Sequence, residues 1–97
     1  MTKIFLLKKS NRAIIDQVSA DDLVGRQTLI TKDASQYGMG DDEILLILEG
    51  SEESFRKAST IIGNSGTMLD GKKTEEVMRK VHEEEENADK GMGFLFG

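Results

Sequence analysis

The stretch Glu43-Ile-Leu-Leu-Ile-Leu-Glu-Gly50 is apolar at every position from Ile44 to Leu48. A strand sends alternate side chains to opposite faces, so a run of this kind needs cover on both sides. It reads as the central strand of a sheet. It is also the longest unbroken apolar run in the chain, far short of the ~20 residues a membrane-spanning helix needs.

Other strand signals lie before it. Lys3–Leu7 reads as an opening strand, and Gln27–Lys32 alternates in the period-two manner of a half-buried one. Ala13–Val18 fits a short helix or a strand, and β-branched Ile14, Ile15 and Val18 tip it towards strand. The polar turn SADDLVGR follows it, closed by Gly25.

Two helices are expected after the central strand. The first opens at Ser51, a good N-cap, with Glu52 and Glu53 placed favourably against the helix dipole. Phe55, Ala58, Ile61 and Ile62 share one face of it, and Gly63-Asn64 ends it. A short extended piece near Met68 leads to the second helix, roughly Lys72 to Asp89, with Val77, Met78 and Val81 as its apolar stripe and Gly91 as its stop. The closing GMGFLFG places Met92, Phe94 and Phe96 on one side if extended, and reads as a last strand. The expected architecture is a single α+β domain over 1–97, an antiparallel sheet of four or five strands with two helices packed on one face. Phe55, Ile61, Ile62, Val77 and Val81 should be buried together with Leu45 and Ile47.

Charge is unevenly spread. Residues 1–32 hold six Lys/Arg against three Asp, and residues 33–97 hold seven against fifteen Asp/Glu, giving the net −5. A surface of this sign repels phosphate backbones, so nucleic acid is not an expected partner. The basic cluster Lys3, Lys8, Lys9 and Arg12 could touch a phosphate, but reads first as the solvated rim of a strand. The amino terminus runs from apolar to positive, the reverse of a signal peptide. With no cysteine, disulfides and thiolate metal sites are excluded. These features together suggest a soluble, cytoplasmic protein that does not engage a membrane.

Catalytic signatures are missing. There is no GxSxG elbow and no phosphate loop, and the glycines of GMGFLFG have no helix after them to hold a dinucleotide. His82, the single histidine, has no second His or Cys to complete a transition-metal set, and reads as a surface residue of the second helix. An enzyme is not expected.

Carboxylates are the abundant chemical resource. The loop from Asp33 to Glu43 places Asp33, Ser35, Gly38 and Asp41 at positions 1, 3, 6 and 9 of an EF-hand-like spacing. Tyr37 stands at position 5, however, and Glu43 falls one short of the bidentate position, so this is no EF-hand. On its residues alone the loop is a solvated hairpin connection that Ca²⁺ could also use. A second acidic run, Glu83 to Asp89, opposes the dipole at the end of its helix, and otherwise reads as a solvated face.

Three stretches, MTKIFLLKKSN, EGSEESFRKAS and GMGFLFG, resemble a family of small uncharacterised α+β proteins of methanogenic archaea associated with calcium binding. The resemblance spans nearly the whole chain. It implies an antiparallel sheet with two helices and a calcium ligand, but carries no ligand positions onto this sequence. It makes calcium binding on a non-EF-hand site the leading expectation, with Asp33, Ser35, Asp41, Asp42 and Glu43 as ligands and Glu83–Asp89 as second choice. The alternative is a protein-interaction module in which the acidic helix and Phe94-Leu95-Phe96 dock an unidentified protein partner.

Overall fold

The computed structural model describes the backbone of residues 1–96 and the side chains of residues 1–85. The chain runs β1 (Thr2–Lys8), α1 (Arg12–Ala20), β2 (Thr28–Asp33), β3 (Glu43–Glu49), α2 (Glu52–Ile62), β4 (Gly66–Met68) and α3 (Gly71–Phe96). The four strands form one antiparallel sheet in the order β2-β3-β1-β4. From β1 to β4 this is the split β-α-β arrangement of ferredoxin-like domains, followed by one further helix.

The apolar run takes a central place as β3, with Leu46 paired to Phe5 of β1 and Thr31 of β2. All five residues from Ile44 to Leu48 are buried. Their alternation divides the core. Ile44, Leu46 and Leu48 join Phe5, Leu7, Ile15, Val18, Phe55, Ala58 and Ile62 beneath α1 and α2. Leu45 and Ile47 join Ile4, Ala34 and Tyr37 beneath Val77 and Val81 of α3. One face therefore does carry two helices, but they are α1 and α2, and α3 covers the other. The expected single cluster of Phe55, Ile62, Val77, Val81, Leu45 and Ile47 is two clusters. Ile61 is only partly buried at the margin of the first.

The segment tipped towards strand, Ala13–Val18, lies in α1. Ile15 and Val18 are three apart, one helical turn, and both face the core. Burying that stripe against the sheet outweighs the β-branched preference. Among the described residues the terminal strand is also absent: α3 continues as helix past Gly91 to Phe96. The side chains of Phe94, Leu95 and Phe96 lie outside the described residues.

Helix α2 starts as its sequence implies. The Ser51 side chain accepts a hydrogen bond from the Ser54 amide, and Glu52 and Glu53 occupy the first turn. Its end is set by Gly63 at φ 53°, a conformation that favours glycine. Ser51→Ala should lower the unfolding free energy by about 1 kcal/mol in urea denaturation. A change below about 0.3 kcal/mol would show that the cap contributes little.

Candidate ion-binding loop

The acidic connection between β2 and β3 sits at one end of the sheet, where three strand ends meet. Register pairs Asp33 with Ile44 and Lys8 with Glu43, so the loop mouth lies beside the last residues of β1. Asp33 caps a short 3₁₀ turn over Ala34–Tyr37. Its Oδ1 accepts from the Ser35 amide at 3.1 Å and from the Ser35 hydroxyl at 2.9 Å. Gly38, at φ 79°, reverses the chain. Buried Ala34 and Tyr37 pin this turn to the core shared with α3.

The other limb is folded on itself. The Gly40 amide donates to Glu43 Oε1 at 3.0 Å, and the Glu43 amide donates to the Gly40 carbonyl at 3.3 Å. A Cβ on Gly40 would stand 2.5 Å from Glu43 Oε1 and 3.0 Å from Asp42 Oδ1. The ends of the two carboxylate side chains thus converge over the Gly40 backbone. Asp41 is exposed beside them.

Consecutive lysines bind the two limbs. Lys8 Nζ is 3.1 Å from Asp42 Oδ2, Lys9 Nζ is 3.3 Å from Asp33 Oδ2, and the Lys9 amide donates to the Asp42 carbonyl at 2.7 Å. The hydrogen bond and charge of Lys8 hold the Asp42 carboxyl below the usual range. Asp33 is also held low, first by the Ser35 hydroxyl and amide, then by Lys9. The same contact with Asp42 raises Lys8. Depressed carboxyls stabilise the fold above their unfolded pKa, and that contribution fades as pH falls through the folded values. Both pairs are solvent-exposed and screened by salt.

Of the second acidic run, Glu84 faces the first. Tyr37 Oη donates to Glu84 Oε2 at 2.9 Å, and Lys32 Nζ lies 4.0 Å from the same oxygen. Burial, then the Glu84 carboxylate, pushes Tyr37 up to about 12. Lys80 sits 5.6 Å from the Tyr37 ring centre and donates to the Gln36 carbonyl. Glu84 therefore ties α3 to the loop. Glu83 and Glu85 are exposed, as is His82. The side chains of Glu86 and Asp89 lie outside the described residues.

The structure brings Asp42 and Glu43 together and holds Asp33 with Ser35 on the opposite limb. Among the described residues no three His, Cys, Asp or Glu side chains are grouped as a ready-made metal site. The oxygens present suit a hard cation with loose geometry: Asp42 and Glu43 fit one half of such a site, and Asp33 with Ser35 would have to turn towards it. The part missed in the sequence is that of Lys8 and Lys9. The β1–β3 register reveals it, and in the sequence two adjacent lysines at a strand end are the one sign of it.

No family model, curated protein or solved structure matches this chain. Among the described residues no helix is long and apolar enough to cross a membrane. The fold class leaves function open, since one topology hosts many activities.

Proposed function

We propose that this chain is a calcium-binding domain, not an enzyme, and that the Asp33–Glu43 loop takes the ion. The observation that carries this reading is the approach of Asp42 Oδ1 and Glu43 Oε1 to one point over Gly40. Two carboxylates so placed repel each other, and a cation gains from both attraction and the relief of that repulsion. Asp41 adds an adjacent oxygen donor. Asp33 and Ser35 complete the set when Lys9 gives way to the ion.

Ca²⁺ accepts six to eight oxygens in irregular geometry, so a loop with water and backbone carbonyls can serve it. Mg²⁺ demands a tight octahedron and keeps its water. Lys8 and Lys9 must be displaced, which places affinity at the weak end, with Kd on the order of 10⁻⁴–10⁻³ M. At ten times Kd, Ca²⁺ should raise stability by about 1.4 kcal/mol by mass action.

Thermal and urea unfolding at fixed ionic strength test this. Asp42→Asn with Glu43→Gln should abolish the Ca²⁺-dependent gain. Glu83→Gln with Glu85→Gln, which leaves the Tyr37–Glu84 bond intact, should keep it. Loss in the helix variant and retention in the loop variant would assign the ion to α3 and overturn the loop assignment.

A further inference from the structure

A cleft of about 620 Å³ opens between α1, β2 and the start of β3, a volume suited to a small molecule. Ile15 of α1 and Ile44 of β3 form its floor, and both are buried in the core beneath. Its rim is ionic. Lys9 is engaged with Asp33 there, a neutral pair. Arg12 and Asp16 also line it, one helical turn apart and about 6 Å along the axis. Neither enters an ion pair among the described residues. Lys32 borders the cleft, but strand alternation turns its side chain to the other face, where its ammonium meets Glu84.

The free charges on the rim are thus one guanidinium and one carboxylate, above an apolar floor. A simple anion would meet Asp16 and a simple cation would meet Arg12, so neither is complemented. We propose that this cleft binds a small zwitterion with an apolar side chain, of the free amino-acid type. Arg12 takes the ligand carboxylate through its planar fork, Asp16 takes the ammonium, and the side chain lies on Ile15 and Ile44. The cleft shares the Lys9–Asp33 pair with the calcium loop, but Arg12, Asp16 and the apolar floor belong to it alone, and the assignment does not rest on the calcium reading.

The test is a ¹⁵N-resolved titration at fixed ionic strength and without Ca²⁺. The probes are L-phenylalanine, 3-phenylpropionate (no ammonium) and phenethylamine (no carboxylate). L-Phenylalanine should move amides of residues 12–16, 31–33 and 44 together, and each analogue should bind about tenfold more weakly. Arg12→Gln and Asp16→Asn should each reproduce that loss, Arg12→Lys should lose less, and Lys57→Gln, on α2, should change nothing. Both tested positions are exposed on α1, and dispersed amide spectra would confirm that the variants fold. Equal binding of all three probes, tighter binding of either analogue, or an Arg12→Gln response like that of the parent chain would overturn the assignment. So would no saturable shift at any of these amides.

Discussion

Leu46→Ala and Ile47→Ala should each lower the unfolding free energy by about 3–4 kcal/mol, and by similar amounts. The two residues are neighbours on β3 and point to opposite faces. Leu46 packs beneath α1 and α2, Ile47 beneath α3, and both have no exposed surface. Truncating a buried Leu or Ile removes transfer free energy and leaves a cavity that neighbours fill only in part. Equality of the two losses is therefore a measure of how well α3 covers its face. If Ile47→Ala cost under about 1 kcal/mol while Leu46→Ala kept its full effect, α3 would not be packed on the sheet in solution. Ile61→Ala should cost less than either, because Ile61 is only partly buried at the cluster edge. Urea midpoints at a common slope would give all three.

Gly66→Ala should cost about 1–3 kcal/mol, an unusual penalty for adding one methyl to a strand. Gly66 pairs with Leu7 where β4 joins the sheet, and its φ of −152° is open to any residue. Backbone conformation is therefore not the reason. A Cβ there would stand 2.8 Å from Leu7 Cγ, 2.9 Å from Ile62 Cγ2 and 3.0 Å from the Leu6 carbonyl oxygen. Leu7 and Ile62 are themselves buried, so neither can retreat without disturbing the α2 face, and overpacking of this kind strains a core. A neutral or stabilising result in urea denaturation would mean that β4 shifts freely against β1. By contrast Gly38→Ala meets no neighbour within 4 Å, and its penalty would come from φ alone.

What the sequence disclosed follows the strength of its local signals. The Ile44–Leu48 run, apolar on both sides, marked a central strand, and Ser51 and Gly63 marked the limits of α2. The same run carries a second sign. Leu45 and Ile47 needed cover as much as Leu46 did, and the Val77–Val81 stripe was available to supply it. Placing both long helices on one face left that second face bare. Ile14, Ile15 and Val18 misled because β-branching is a weak preference that packing overrides. The GMGFLFG ending misled because alternation in so short a stretch does not tell strand from helix.

The carboxylates of the loop were legible one by one, and their grouping was not. Asp33 and Asp42 lie at opposite ends of the connection, and each is held by one of two adjacent lysines at the end of β1, far away in sequence. No spacing rule within residues 33–43 reports that contact. The convergence of Asp42 and Glu43 over Gly40 likewise depends on the tight turn closed by the Glu43 amide.

The most direct test is a ¹⁵N-resolved titration with Ca²⁺ and then Mg²⁺ at matched ionic strength. Saturable Ca²⁺ shifts are expected at Met39 to Glu43 and at Asp33 and Ser35, with smaller ones at Lys8 and Lys9 as the lysines are displaced, and much weaker Mg²⁺ effects. Shifts confined to residues 83–89, or shifts that Mg²⁺ and added salt reproduce equally, would contradict it.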